Sequence, residues 1–140
     1  MKGIEIFIPV LAHMLLVIGL YFLLAIRKTK AIKNRAVNRK EAALDNKAWT
    51  EDVIKLSNNI ANQFETPIMF YVLAVLTFLI GLVDTFSLVI MWAYVISRCI
   101  HVYVHIGSNH VPTRMKVFAL GLLLLLVILM RLLVTLVAGF

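Results

Sequence analysis

The sequence predicts an all-α protein in which four transmembrane helices form one bundle, and three observations support this fold class. The chain has 140 residues, of which 62% are hydrophobic and 15% charged, so a water-soluble fold could not bury its apolar surface. The apolar residues form four long segments, and the basic residues lie mostly between the first two segments. We therefore expect a single transmembrane domain over residues 1–140.

Each apolar segment is expected to cross the membrane as a helix, because backbone polar groups in lipid must be hydrogen-bonded within the segment. The first and last segments exceed the roughly 20 residues that span a bilayer. The middle two reach that length only if their helices continue through polar residues. The predicted spans are residues 4–26, 60–83, 86–106 and 114–139.

The first segment follows Lys2, as the apolar core of a secretory signal would. It is too long for such a core, no small-residue cleavage site follows it, and a basic segment comes next. We expect it to remain in the protein.

The distribution of charge predicts the orientation. Nine basic residues lie between the first two spans: Arg27, Lys28, Lys30, Lys33, Arg35, Arg39, Lys40, Lys47 and Lys55. The next loop, around Asp84, has no Lys or Arg. By the positive-inside rule, the basic loop 27–55 and the turn at 107–111 are cytoplasmic and both termini lie outside. The net charge of +7 thus indicates a lipid bilayer, including anionic headgroups, and no nucleic acid as the partner.

Local signals place the helix ends. Thr50 is a candidate N-cap for a helix that begins in the cytoplasm and enters the membrane near residue 60. Pro67 is expected to kink this second helix and to free the carbonyl of Gln63. Asp84 marks a short loop that makes the second and third helices antiparallel neighbours, and residues 107–112 form the next turn.

Polar residues inside the second and third spans are the candidate functional residues, because ionisable groups in a membrane are costly. Helical spacing places them in two stripes, one of Asn58, Asn62 and Glu65 and one of Arg98, His101 and His105. Glu65 is expected about 8 Å past the entry of its helix and Arg98 about 12 Å before the exit of its own. The two stripes therefore meet in the cytoplasmic half of the bilayer.

Two interpretations of these stripes remain open. In one, Glu65 and Arg98 form a structural ion pair and the amides and imidazoles join the helices. In the other, the stripes line a polar cleft for a small anionic or zwitterionic ligand, with Arg114 and Lys116 at its cytoplasmic mouth and a lipophilic partner entering from the bilayer.

We expect no metal site. His101 and His105, with His110 as a third ligand, have a spacing that can bind a metal, but no HExxH motif or cysteine pair accompanies them. His13 and Arg131 lie alone on the other spans, and we expect the first to pack and the second to extend to the interface.

The string Asn62-Gln63-Phe64-Glu65-Thr66-Pro67, followed by Arg98-Cys99-Ile100-His101 and Pro112-Thr113-Arg114, resembles the MAPEG family, the membrane-associated proteins in eicosanoid and glutathione metabolism. The resemblance covers the second to fourth helices, about half of the chain. It implies a homotrimer of four-helix subunits in which glutathione binds between subunits near the cytosolic face.

The resemblance also implies roles for six residues. Asn62, Glu65, Arg98, His101, His105 and Arg114 are expected to bind glutathione. Arg114 matches the arginine that stabilises the thiolate in the prostaglandin synthase branch, which makes it the candidate catalytic residue. A fixed cation beside a thiol lowers its pKa and increases the nucleophile present at neutral pH.

Three positions depart from the family pattern. Ala61 stands where several branches carry an arginine that anchors a glutathione carboxylate, Met115 where the prostaglandin synthase has a serine, and Phe118 where a tyrosine contacts glutathione.

Two functions follow from the sequence. The leading one is a glutathione-dependent transferase or peroxidase that acts on small lipophilic electrophiles at an intersubunit cleft near the cytoplasmic face of a bacterial inner membrane. The alternative is a non-catalytic membrane trimer of the same fold that binds a lipid or a partner helix.

Overall fold

A computed structural model describes residues 3–139, and this part of the chain is helical with no strands. A 3-10 turn at Ile4–Ile6 leads into the first of six α-helices. Their bounds are α1 Phe7–Lys33, α2 Arg39–Ala42, α3 Glu51–Asn62, α4 Thr66–Leu79, α5 Thr85–Ile106 and α6 Val111–Ala138. Four stretches are long and apolar enough to span a membrane, namely Ile4–Lys33, Glu51–Leu79, Thr85–Ile106 and Val111–Ala138. The predicted all-α bundle of four transmembrane helices is confirmed.

Helix α5 lies at the centre of the bundle, where it contacts α1, α3, α4 and α6. Its buried residues recur every three or four positions along the helix, as at Met91, Tyr94, Arg98, His101 and His105, so a broad face of α5 packs against its neighbours. The main apolar core forms where α4, α5 and α6 meet, and Phe70 stacks on Tyr94 there at a centroid distance of 4.6 Å. Lipid-facing residues elsewhere are long aliphatic side chains that stay exposed, as a bilayer permits.

Several helix ends differ from the sequence prediction. The first helix continues to Lys33 rather than ending near residue 26, because helix-compatible basic residues follow the apolar segment. The second ends at Leu79 rather than near residue 83. Thr50 precedes α3 as predicted, but its hydroxyl makes no cap hydrogen bond.

The end of the bundle near residue 84 is fixed by a small polar cluster. Asp84 caps α5 by accepting hydrogen bonds from the backbone N–H and hydroxyl of Ser87, both at 2.9 Å. Arg131 of α6 forms a two-point ion pair with the same carboxylate at 2.6 and 2.8 Å. The hydrogen bonds from Arg131 hold the pKa of Asp84 well below its usual range. The prediction that Arg131 lies alone is therefore wrong.

Candidate functional site

The second transmembrane segment is broken, not kinked. Helix α3 ends at Asn62, two tight backbone hydrogen bonds turn the chain through Gln63 and Phe64, and α4 starts at Thr66. Pro67 lies in the first turn of α4, where its missing N–H costs nothing. The predicted kink is wrong because the chain opens a new helix there, and the break frees backbone carbonyls at the depth of the polar residues.

A cavity of about 340 Å³ lies beside this break, between the break, α5 and α6. Four of the six predicted glutathione-binding residues line it, and the remaining lining residues are apolar. The polar lining residues are Asn62, Glu65, His101 and Arg114, and the apolar ones are Met115, Phe118, Ala119 and Leu122. The cavity therefore presents both polar groups and apolar surface to a ligand.

Arg114 is held at the start of α6. Its Nη1 donates a hydrogen bond to Asn109 Oδ1 at 2.8 Å, and Asn109 has a left-handed backbone, with φ of 52°. Asparagine tolerates this conformation better than most residues, so the turn can present its amide to the arginine. Only Nη1 of Arg114 has a hydrogen-bond partner among residues 3–139, which leaves the other N–H groups for a ligand.

His101 lies on the α5 side of the cavity and is 2% exposed. Its ring packs against His105 and Phe118 at centroid distances of 5.6 and 6.1 Å. Within the described chain its Nδ1 is buried and has no hydrogen-bond partner. A buried polar atom without a partner is costly, which makes His101 a candidate to bind a ligand or a bound water.

Arg98 is buried behind the cavity and does not line it. Its Nε and Nη2 donate to Gln63 Oε1 at 3.3 and 3.2 Å, and Nη2 also donates to the Asn62 carbonyl at 3.2 Å. The broken helix thus supplies a backbone acceptor, that of Asn62 rather than the predicted Gln63. The only ion pairs in residues 3–139 are Glu51–Lys55 and Asp84–Arg131, so Glu65 and Arg98 form no structural pair in this chain.

Arg98 determines which groups donate and which accept in a longer chain of hydrogen bonds. A guanidinium can only donate, so the Gln63 oxygen is the acceptor and the Gln63 nitrogen is the donor. His13 Nε2, at 3.2 Å from the same oxygen, must therefore donate, and His13 Nδ1 accepts from the Tyr71 hydroxyl at 2.7 Å. His13 is fully buried. The expectation that it lies alone is wrong, because it joins α1 to α3 and α4.

The chain continues in the other direction through Asn59. Gln63 Nε2 donates to the backbone oxygen and the side-chain oxygen of Asn59 at 3.2 and 3.4 Å, and Asn59 Nδ2 lies 3.1 Å from His105 Nδ1. Because the Asn59 oxygen is an acceptor, its nitrogen donates and His105 carries its proton on Nε2. His105 thus supports the network next to His101 and does not line the cavity.

Asn59 and Gln63, which are buried in this network, were not among the predicted site residues, whereas the predicted Asn58 is exposed. The spacing of the apolar residues along α3 could have identified them. Val53, Leu56 and Ile60 mark the buried face of α3, and Asn59 and Gln63 continue that face. Glu65 is also exposed in this chain, although it lines the cavity together with His101 of α5.

The histidines do not form a metal cluster in residues 3–139, where no three His, Cys, Asp or Glu side chains are placed to hold an ion. His110 is exposed at the start of α6, and its Nδ1 lies 2.9 Å from the Thr113 hydroxyl.

The chain matches one known protein family over most of its length. The family model described as "MAPEG family" matches residues 10–134 of the chain. No significant match was found among curated proteins or among solved structures.

Proposed function

The chain belongs to the MAPEG family, and from this premise we propose that it is a membrane-embedded, glutathione-dependent transferase or peroxidase for lipophilic electrophiles. Family membership supports a membrane function related to glutathione at the level of the family. The finer activity rests on one observation, the convergence of Asn62, Glu65, His101 and Arg114 on one cavity that also has apolar lining residues.

The lining residues fit the functional groups of glutathione. Glu65 suits an ammonium group, the Asn62 amide suits a peptide amide, and the unpartnered His101 Nδ1 can take part in a further hydrogen bond. Arg114 suits a thiolate or a carboxylate. When bound, glutathione supplies a nucleophilic thiol.

The residues of the chain would prepare that thiol. Arg114, fixed by Asn109, places a permanent positive charge at the cavity mouth, which favours an anion beside it. Met115 and Phe118 form an apolar wall that excludes water and accepts a lipophilic substrate. Arg98 and His105 of α5 would act from behind the cavity, by holding the Asn62 backbone and the Asn59 side chain in place.

A single subunit offers one arginine at the cavity, whereas glutathione has two carboxylates. A homotrimer would supply a second cation from the neighbouring subunit, and it would cover the exposed Glu65 carboxylate. This deficit supports an intersubunit site near the face of the membrane that holds the basic loop, which we expect to be cytoplasmic.

A non-catalytic trimer that binds a lipid or partner helix is the second candidate. It is favoured by the lining itself, because Met115 and Phe118 contribute no hydroxyl to the cavity and Ala61 contributes no cation.

The test compares Arg114→Leu with Lys116→Leu, a control that removes a cation two residues along from the same helix start but not from the cavity lining. We expect wild type and the Lys116 variant to bind glutathione by calorimetry and to conjugate a model electrophile. Arg114→Leu should lose at least about tenfold in rate, equivalent to about 1.4 kcal/mol, with an unchanged melting temperature. Negligible glutathione binding and turnover in wild type, over a panel of electrophiles and hydroperoxides, would instead support the binding trimer.

A further inference from the structure

A second cavity, of about 460 Å³, lies on the outer surface of α1 near its C-terminal end, away from the glutathione-type cavity. It is lined by Ala25, Ile26, Thr29, Lys30, Lys33 and Asn34. These residues recur at helical spacing, so they form one stripe along the helix. The stripe changes from apolar to basic within two turns.

The position of this change matches the edge of the hydrocarbon layer. From Ile4 to Ile26 the helical segment rises about 33 Å, close to the roughly 30 Å thickness of the bilayer core. Ala25 and Ile26 therefore lie at the end of the hydrocarbon, and Lys30 and Lys33 lie at the level of the lipid headgroups. An occupant must be apolar on one side of this boundary and anionic on the other.

The two lysines are the basic residues of this helix end that the fold leaves without a partner. Arg27 donates to the Asp52 carbonyl at 3.0 Å, and the Lys28 ammonium lies 4.6 Å from the centre of the Trp49 ring. In residues 3–139 neither Lys30 nor Lys33 takes part in an ion pair, and both are exposed. Their positive charge therefore faces the headgroup region.

A neighbouring cavity of about 240 Å³ shares Lys30 and Asn34 but is a poorer anion site. It contains the Asp52 side chain, and Arg27 on its wall already binds the Asp52 backbone. The basic residues further along the loop are also a weaker alternative, because Arg39, Lys40 and Lys47 alternate with Glu41 and Asp45.

We propose that the α1 cavity binds one anionic glycerophospholipid, whose phosphate lies between Lys30 and Lys33 and whose acyl chain follows Ala25 and Ile26. The charges and the apolar wall are complementary to this one molecule. A zwitterionic lipid of the same length binds more weakly, because its own cation meets the two lysines.

The experiment titrates the full-length protein in detergent with phosphatidylglycerol or with phosphatidylcholine of identical acyl chains, and counts bound lipids by native mass spectrometry. Two lysines near a headgroup contribute about fivefold each to affinity, so wild type should prefer phosphatidylglycerol by on the order of 25-fold. Lys30→Gln with Lys33→Gln should remove this preference. The matched control, Lys40→Gln with Lys47→Gln, should retain it.

Further arms separate the alternatives. The double variant Lys30→Arg with Lys33→Arg keeps both positive charges and should retain the lipid. Loss of the lipid in the glutamine variant alone is then due to the lost charge and not to a folding defect. Equal loss of phosphatidylglycerol in the two glutamine variants would overturn the proposal in favour of a diffuse charge effect. Glycerol phosphate binding as tightly as the lipid would overturn it in favour of a free phosphate site. Arg114→Leu should retain the lipid, since this site is independent of the proposed glutathione site.

Discussion

Two arginines of this bundle differ in their exposure and in the groups that bind their guanidinium. Arg98 is 2% exposed and is bound by neutral groups, the Gln63 amide and the Asn62 carbonyl. Arg131 has a side chain 28% exposed and a carboxylate partner, Asp84, that is 48% exposed. Arg131 and Asp84 form a two-point ion pair, but solvent weakens its contribution to stability. Arg98 is buried, so the loss of any acceptor would leave N–H groups of its guanidinium without a hydrogen bond. Burial therefore decides which of the two is energetically important.

The largest expected effect is at Gln63, the acceptor shared by Arg98 and His13. Gln63→Leu removes the acceptor of a buried imidazole N–H and leaves the buried Arg98 guanidinium with only the Asn62 carbonyl, so we expect a loss of about 3 kcal/mol or more in stability. Unfolding in detergent, followed by circular dichroism, measures it. Gln63→Glu is the matched control, because it restores an acceptor and adds a charge opposite to Arg98. If the leucine variant melted like wild type, the buried network would not govern stability.

A smaller effect is expected at the other end of the same network. Tyr71→Phe removes the hydroxyl that donates to His13 Nδ1 and leaves the ring packing in place. The expected loss is about 0.5–1.5 kcal/mol, that of a neutral hydrogen bond. Tyr21→Phe serves as the control, since Tyr21 is exposed and its hydroxyl has no hydrogen-bond partner among the described residues. Equal melting of the two variants would show that the Tyr71 hydroxyl contributes nothing.

The smallest effect is expected at the exposed pair. Arg131→Gln removes the ion pair but keeps the Asp84 cap on Ser87, so we expect a loss of about 0.2–1 kcal/mol that added salt reduces. The pKa of Asp84 is lowered in the folded state, so its contribution is present above the unfolded value of 3.8 and is lost as pH falls below it. Melting temperatures at pH 7 and at pH 3 should therefore differ less in Arg131→Gln than in wild type. The same pH dependence in both proteins would contradict the assigned role of the pair.

The sequence was most informative where one physical rule acts on a continuous segment. Apolar length predicted the four spans, and helical spacing identified Asn62, Glu65 and His101, which line one cavity with Arg114. Helical spacing gave a wrong prediction where one continuous helix was assumed. Because α3 stops at Asn62, the stripe that included Asn58 and Glu65 does not extend through the break, and Glu65 forms no ion pair with Arg98 in residues 3–139.

What the sequence determined by itself is the class of the protein: a four-helix membrane bundle of the MAPEG family with polar residues inside its middle helices. Only the tertiary structure decided which of these residues line the cavity and which contact one another. The assignment of Gln63 to Arg98, of Asn59 to His105 and of Asp84 to Arg131 depends on contacts between helices distant in the sequence. Spacing along one helix fixes a face, but a hydrogen bond needs both partners within about 3 Å, and that distance is set by how the helices pack.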